Sequence, residues 1–213
     1  MAKASTVVAR RGRRRSYHHG DLRQTLLDTT LAVIEELGVE NTTVRDVARR
    51  AGVSSGAPFR HFPDRRALLT AVAEDAMGRL REEVAAEMAK PRRDPLASFR
   101  AVGAAYLRWV VRNPTHFRVI SERSLIDFEG SASLRRDNDA LRALMAGLLA
   151  EARDRGQLRG GDIGQLVLLA RAASYGIARM FVDGQLQSWD ISDRQAQRAM
   201  EKVLDSLLDG LRA

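Results

Sequence analysis

Apolar residues recur at helical spacing along most of the chain, and glycine or proline interrupts this pattern at intervals. The first helix is expected to have Asp21 as its N-cap and to end at Gly38, since these residue types favour helix termini. Residues 121–133 lack clean periodicity and are typical of a weak helix or a loop. The remaining pattern predicts a short helix that begins near residue 54 and helices over residues 22–37, 44–51, 65–90, 96–112, 115–120, 134–155, 163–182 and 193–211. The sequence therefore predicts an all-α fold.

Residues 41–69 contain two short helices around a tight glycine turn. The first helix has one apolar face, formed by Val44, Val47, Ala48 and Ala51. Gly52 can adopt the left-handed conformation that closes this helix, and Ser54 or Ser55 can cap the next one. Helices joined so closely must cross steeply, as they do in a helix-turn-helix. Since the second helix of that motif fits the major groove, the stretch predicts DNA binding.

The second helix combines small residues with longer hydrogen-bond donors, which suits contact with phosphates and base edges. Pro58 lies in its first turn, where the missing N–H costs little, but Pro58 leaves the helix start open because it disfavours helical geometry at Ala57. Phe59 has two interpretations, core packing or DNA contact, whereas Phe62 is expected in the core. We predict that Thr42, Thr43, Arg45 and Arg65 hold the DNA backbone and that the bases are read by Ser54, Ser55, Gly56, Ala57, Arg60 and His61.

This stretch resembles the DNA-binding domain of TetR/AcrR-type transcriptional regulators. The matching positions are Thr43, Val47, Ala48, Ala51, Gly52, Val53, Ser54, Gly56, Phe59, His61, Phe62, Arg65 and Leu68. The family pattern has tyrosine where this chain has Phe59, so the hydroxyl that typically reaches a phosphate is missing. It has lysine where this chain has Arg65, which keeps the charge. The resemblance implies an N-terminal three-helix helix-turn-helix domain and a C-terminal helical bundle for ligand binding and dimerisation.

The C-terminal half is similar to one subset of TetR-type ligand-binding domains. Residues 106–109 and 113–118 match its Y-x-x-F and N/H-P-x-x-(Y/F)-R segments, and residues 175–176 and 183–184 match its W-x-x-x-H-G and D-G helix. Arg171 stands where that subset has tryptophan, and Tyr175 stands where it has histidine. These two departures leave the chemistry of any ligand open.

Charge and helical pattern together predict a basic arm and two domains. The formal net charge is +8, and six positive charges without an acid precede residue 17. Residues 1–16 are therefore expected to be a disordered basic arm that lies along phosphates or enters the minor groove, with a solubilising tail as the alternative. We predict a helix-turn-helix domain over residues 17–65 and a ligand-binding and dimerisation domain over residues 66–213. A long helix from residue 65 should connect the two.

Aromatic and sulfur-containing side chains predict a ligand pocket in the second domain. They would suit a largely apolar or aromatic effector, and Arg171 is notable because a charge within an apolar helix face needs an anion, an acid or solvent. The alternative is that these residues form ordinary core. The candidate ligand-binding residues are Phe99, Tyr106, Trp109, Phe117, Phe128, Met145, Arg171, Tyr175 and Met180.

The last two helices carry more apolar surface than a chain end can bury alone. Leu166, Leu169 and Ile177 are examples on the first, and Val203 and Leu207 on the second. This excess predicts a four-helix interface in a symmetric homodimer. The alternative is that both helices only complete the core of one protomer.

Several function classes are not supported by the residues present. The chain has no cysteine, no apolar run long enough to span a bilayer, and no assembly of nucleophile, base and orienting group. His18 and His19 are adjacent but lack a third ligand at suitable spacing, so we expect no metal site and no cofactor. An enzyme on a helical bundle and a ligand-independent DNA-binding protein remain as alternatives. The favoured hypothesis is a cytoplasmic homodimeric repressor that releases a palindromic operator in double-stranded DNA when a small molecule binds.

Overall fold

The computed structural model describes residues 19–213, and these residues are mainly helical. Within that range lie eight α-helices, which are α1 (His19–Leu37), α2 (Val44–Arg50), α3 (Arg65–Met88), α4 (Pro95–Arg112), α5 (Pro114–Ser121), α6 (Ala132–Asp154), α7 (Ile163–Val182) and α8 (Asp193–Leu211). Three 3₁₀ turns also occur, at Pro58–Arg60, Arg123–Leu125 and Gln185–Trp189. The predicted all-α fold is confirmed. The predicted arm over residues 1–16 and His18 lie outside the described residues. The prediction that Asp21 caps the first helix is wrong, because α1 begins at His19 and the backbone of Asp21 is already helical.

Short polar side chains begin the helices that position the N-terminal unit. The Thr43 hydroxyl accepts a hydrogen bond from the Asp46 amide over 3.2 Å at the start of α2. The Asp64 carboxylate accepts one from the Ala67 amide over 2.7 Å at the start of α3. Gly52 follows α2 with φ at +69°, a conformation that a side chain would strain. Local chemistry therefore determines where α2 ends and where α3 begins.

Helix α3 belongs to both halves of the molecule. Its first half packs on α1, and along its length it also packs on α4, α5 and α6. The buried face includes Leu68, Leu69, Val72, Leu80 and Val84, which follow helical spacing. A second connection runs from α5 to α1, where the Thr115 hydroxyl donates to a Glu35 carboxylate oxygen over 3.0 Å. The N-terminal unit is therefore held against the C-terminal bundle by α3 and by the contact between α5 and α1.

The far end of α3 is held by a buried carboxylate. Glu87 pairs with Lys90 at 2.8 Å and with Arg108 of α4 at 2.7 Å, and it also pairs with Arg92. The hydrogen bond from Lys90, followed by the hydrogen bond from Arg92 and the charge of Arg108, lowers the pKa of Glu87 despite its burial. This cluster anchors α3 to α4 at the end remote from the N-terminal unit.

Candidate functional site

The 54–62 segment does not form the predicted second α-helix. It forms a turn followed by the 3₁₀ turn Pro58–Arg60, so the prediction of a helix that begins near the paired serines is wrong in this detail. The physical reason is Pro58, which has no N–H to donate to the Ser54 carbonyl four residues earlier. The Ala57 amide donates to that carbonyl instead, over 3.0 Å, and the His61 amide donates to the Pro58 carbonyl over 2.9 Å. The segment is therefore wound tightly.

Most side chains of the 54–62 segment face solvent. Ser54, Ser55, Gly56 and Arg60 are exposed, while Ala57 and His61 are half-buried. Phe59 is 48% exposed, so it is not a core residue in this chain. Pro58 and Phe62 are buried and attach the segment to the N-terminal unit, and the Arg23 guanidinium lies 5.6 Å from the centre of the Phe62 ring. The structure thus presents a short exposed surface held by two apolar residues.

The arginines near this surface differ in whether an acid neutralises them. Arg49 pairs with Asp46 at 2.7 Å, and Arg50 pairs with Glu36 of α1 at 2.6 Å. Arg45 and Arg60 are exposed, and neither forms an ion pair with any residue in the described part of the chain. Arg45 and Arg60 consequently carry a charge that is free for an outside anion.

Two residues predicted to contact DNA use their polar groups in hydrogen bonds within the protein. Thr42 is only 1% exposed, and its hydroxyl donates to the Gly38 carbonyl over 2.9 Å. The Arg65 guanidinium donates to the carbonyls of Thr42 at 2.7 Å, Val39 at 2.5 Å and Glu40 at 3.2 Å. Arg65 therefore clamps the connection between α1 and α2. Thr43 is exposed at the start of α2, but its hydroxyl donates to an Asp46 carboxylate oxygen over 2.5 Å. By contrast, Arg45 is exposed and forms no ion pair within the described residues.

A cavity of about 380 Å³ lies in the C-terminal bundle, with walls from α3, α4, α5, α6, α7 and α8 and from the 122–130 segment. Its volume is within the range of small-molecule sites, and apolar side chains dominate its lining. Seven of the predicted ligand-binding residues line it, namely Phe99, Tyr106, Phe117, Phe128, Met145, Arg171 and Tyr175. The structure thus brings together residues that are far apart in sequence.

Aromatic rings form one wall of this cavity. The Tyr106 and Phe117 rings meet edge-to-face with their centres 6.4 Å apart, and the Phe117 and Tyr175 rings lie 5.7 Å apart. Burial raises the pKa of the Tyr106 phenol, so this group stays neutral and can donate a hydrogen bond. The buried hydroxyl oxygen of Ser121 has no hydrogen-bond partner among the described residues. The largely apolar lining therefore includes the neutral hydroxyl groups of Tyr106 and Ser121.

Trp109 and Met180 are absent from the cavity wall. Trp109 is buried on another face of α4, where its ring packs edge-to-face on the His116 ring at 6.4 Å. Met180 lies five residues after Tyr175 on α7, which places it about 140° around the helix axis. Trp109 is a core residue and Met180 is half-buried against the core, so the structure does not support their assignment to the ligand site.

Sequence reasoning missed Arg123 and Ile126, which line the cavity from the 122–130 segment. That segment has only the short 3₁₀ turn Arg123–Leu125, so no helical period could assign a face to these residues. Phe128 could be selected from the same segment because it is aromatic. Only the packing of the segment over the bundle reveals the position of Arg123.

Apolar residues are exposed on α7 and α8. Leu168 is 66% exposed, Leu169 is 47% exposed and Val203 is 40% exposed. The two helices also pack on each other within the protomer. Burial within one chain is therefore incomplete for the pair of helices that carries the predicted dimer interface.

Within residues 19–213, no group of three or more histidine, cysteine, aspartate or glutamate side chains is arranged to hold a metal ion. In the same part of the chain, none of the helices combines the length and the apolar character that crossing a membrane would require.

Each half of the chain matches a known protein family. Residues 26–72 match the family described as bacterial regulatory proteins of the tetR family, and residues 99–207 match the tetracyclin repressor-like C-terminal domain. The regulator BetI of Cronobacter sakazakii, an HTH-type transcriptional regulator, is 41% identical over 66 residues, which are 31% of this chain and 33% of BetI. The matched region thus spans about a third of the length of such curated relatives.

Solved structures match over nearly the whole chain. A protein of unknown function from Rhodococcus sp. RHA1 is 28% identical, with a TM-score of 0.73 and coverage of 94% of this chain and 100% of that chain. The TetR family regulator PfmR from Thermus thermophilus is 19% identical, with a TM-score of 0.72 and coverage of 88% and 99%, and so shows the same fold.

The two family matches describe a transcriptional regulator rather than an enzyme. They place the 54–62 segment inside the helix-turn-helix DNA-binding domain and the cavity inside the C-terminal domain. The resemblance predicted from residues 43–68 is confirmed, and the chain belongs to the TetR family of bacterial regulatory proteins.

Proposed function

We propose that this protein is a homodimeric repressor in the bacterial cytoplasm that binds a palindromic operator and releases it when a small molecule enters the C-terminal cavity. The observation that carries the proposal is the exposed 54–62 segment with its unpaired Arg60 and with the unpaired Arg45 of α2, in a chain of a DNA-binding family. The similarity of residues 99–207 to the tetracyclin repressor-like domain supports repression rather than activation.

The exposed residues divide into two kinds of DNA contact. Arg60 and the neighbouring residues 54–57 and 59, most of which are exposed, supply the side chains and backbone that reach base edges in the major groove. Thr43 and Arg45, at the start of α2, are placed to hold phosphates. Thr42 and Arg65 leave the proposed contact set, because one is buried and the other binds backbone carbonyls.

Dimerisation through α7 and α8 would cover the exposed Leu168, Leu169 and Val203. Pairing both helices with their copies gives a four-helix interface with two-fold symmetry. Such a dimer reads a palindrome when its two DNA-binding segments lie about 34 to 36 Å apart, or one further turn.

The 122–130 segment offers a physical route from the cavity to the DNA-binding unit. Ile126 lines the cavity with its side chain, while its carbonyl accepts a hydrogen bond from Arg66 over 3.1 Å. The Asp127 amide donates to the Thr70 hydroxyl over 2.8 Å. Arg66 and Thr70 belong to the first two turns of α3, next to the clamp that Arg65 forms. A ligand that displaces this segment therefore pulls on the start of α3.

The opposite end of α3 is anchored to α4 by Glu87, so a pull near Arg66 becomes a rotation of the N-terminal unit rather than a translation of the whole helix. In a dimer, this rotation changes the spacing of the two 54–62 segments. The operator then fits one of the two conformations better, which is the differential affinity that effector release requires.

The proposal is tested by footprinting the purified protein on the DNA upstream of its own gene, together with sedimentation at the same concentration. A protected, two-fold symmetric site and a dimer mass are expected. A compound screen scored by release of that site then tests the effector. A monomer without affinity for duplex DNA at low salt would overturn the proposal, and a stable dimer that no compound releases would remove its ligand-dependent part.

A further inference from the structure

Two arginines from different elements line the cavity without an acidic partner. Arg123 comes from the 122–130 segment and Arg171 from α7, and no aspartate or glutamate is among the residues that line the cavity. Both arginines are exposed, so they lie where the cavity opens towards solvent. Within the described residues, neither forms an ion pair.

The contacts that these two arginines do make leave their charge uncompensated. The Arg171 guanidinium donates to the side-chain oxygen of Asn138, a neutral group, over 3.3 Å. The guanidinium carbon of Arg123 lies 3.2 Å from the centre of the Phe128 ring. Stacking on a ring holds a guanidinium in place but supplies only part of what a carboxylate would supply. Both guanidinium groups are therefore held in position and still have N–H donors available for a ligand.

The nearest acids are already engaged or lie towards solvent. Glu122, which precedes Arg123, pairs at 2.8 Å with Arg179, and Arg179 also pairs with Asp183. Glu129 is exposed and attracts Arg123 only at longer range. Burial, and next the charge of Arg171, lowers the pKa of Arg123, so the charge on Arg171 disfavours the charge on Arg123. An anion between them would relieve that repulsion.

We propose that the effector is an amphiphilic carboxylate whose apolar chain or ring fills the cavity while its carboxylate group lies between Arg123 and Arg171. This inference rests on the proposed function and names the chemical class of its effector. A guanidinium binds a carboxylate through two parallel hydrogen bonds, so two of them at one opening select a planar anion. The neutral Tyr106 phenol and the Ser121 hydroxyl add polar contacts deeper in the cavity.

The position of Arg123 also explains how such an anion could act on DNA binding. Arg123 is three residues before Ile126 and four before Asp127, whose backbone groups bind the start of α3. A carboxylate that draws Arg123 towards Arg171 moves the same segment that holds Arg66 and Thr70. The head group, rather than the apolar body alone, would then supply the difference in affinity between the two conformations.

The test compares three probes that share an eight-carbon chain and differ only in charge. Octanoate, 1-octanol and octylammonium are titrated by calorimetry into the full-length protein without DNA. Octanoate should bind at least about tenfold more tightly than 1-octanol, as expected for hydrogen bonds to a charged group, and octylammonium should bind most weakly. This comparison needs no variant. Equal affinities of octanoate and 1-octanol, or no binding of any probe, would overturn the proposal.

Variants then locate the head group. Arg123→Gln and Arg171→Gln should each weaken octanoate about tenfold and leave 1-octanol within about twofold of the wild type. Arg142→Gln is the matched control, because Arg142 is an exposed arginine of α6 outside the cavity and pairs with Asp139 of its own helix. Octanoate affinities that are the same in all three variants would overturn the assignment.

Binding and DNA release are measured separately, so the two proposals can fail independently. If octanoate binds through the two arginines but operator affinity does not change, the carboxylate site stands and the release mechanism fails. If a neutral or cationic compound releases the operator while octanoate does not bind, the release mechanism stands and the carboxylate site fails.

Discussion

The 54–62 segment and the C-terminal cavity use opposite ways of building a site. The segment is one run of chain whose hydrogen bonds reach three or four residues back, and its side chains face solvent. The cavity draws its walls from elements as distant in sequence as Met77 and Leu204, and many of its residues are also core. The difference teaches that specificity for DNA can change one side chain at a time, whereas a change in the cavity also alters stability.

The two regions meet at the first turns of α3. Arg65 holds the connection between α1 and α2 on one side, and Arg66 and Thr70 bind the 122–130 segment on the other. Through these three neighbouring residues, the position of the exposed 54–62 segment depends on the packing around the buried cavity. Substitutions there should separate contact with DNA from communication with the cavity.

The largest effect is expected from Arg65→Ala. Removing the guanidinium leaves three carbonyls of the connection between α1 and α2 without their donor, so the free energy of unfolding should fall by about 2 kcal/mol. Urea denaturation measures this, with Arg45→Ala as the control that changes an exposed, unpaired arginine. Unchanged stability with a smaller salt dependence of DNA binding would instead make Arg65 a phosphate contact.

Arg60→Ala should come next, with a loss of about tenfold in affinity for the operator and a smaller loss on scrambled DNA, because Arg60 is exposed on the segment. Arg45→Ala should weaken both DNAs alike and reduce the slope of affinity against salt by about one. Fluorescence anisotropy at two salt concentrations measures both. Arg49→Ala is the control, because Asp46 already neutralises Arg49. Equal losses on the two DNAs for Arg60→Ala would remove Arg60 from base reading.

A smaller effect is expected from Thr70→Val, which keeps the shape of the side chain but leaves the Asp127 amide without its acceptor. Operator affinity without effector should stay within about twofold, while the effector-induced loss of affinity should shrink about threefold, as one neutral hydrogen bond is lost. The measurement is the ratio of operator Kd values with and without the effector found by screening. Ser188→Ala, which loses only a bond within its own turn, is the control. An unchanged ratio in Thr70→Val would exclude this route.

The smallest effect concerns pH and the contact between the two halves of the molecule. Burial, and next the charge of Arg79, lowers the pKa of His116 below its usual 6.5. The unfolded chain therefore takes up the proton first, so stability is complete above about pH 6.5 and falls as the pH is lowered. Since His116 is only partly buried, its share should stay below about 1 kcal/mol. Urea denaturation at two pH values should show a weaker pH dependence for His116→Phe, and identical dependences would contradict this assignment.

Local patterns were sufficient for some details and insufficient for others. Gly52, Thr43 and Asp64 act through residues within five positions of themselves, so the ends of α2 and the start of α3 follow from the sequence. The 3₁₀ turn at Pro58 depends on one missing N–H, but whether the remaining amides form α or 3₁₀ bonds is a small energetic difference that depends on how Phe62 packs. The predicted domain limits and DNA contacts stay predictions.

The distinction between Phe59 and Phe62, or between Arg65 and Arg60, has a different origin. Their residue types allow the same roles, and only the surroundings separate an exposed ring from a core ring and a clamp from a free cation. The same holds for Arg123 and Trp109, since one enters the cavity from an aperiodic segment and the other turns away from it.

The order of residues thus settled the family, the all-α architecture, the ends of α2, the start of α3 and the location of the DNA-binding stretch, because each depends on period and on contacts a few residues apart. Folding in three dimensions decided which arginines are left without an acid, which aromatic side chains enclose a volume, and how the cavity reaches α3. Those properties depend on groups that come from separate helices. Burial and electrostatic energy are set by all neighbours in space, and a linear pattern does not contain that list of neighbours.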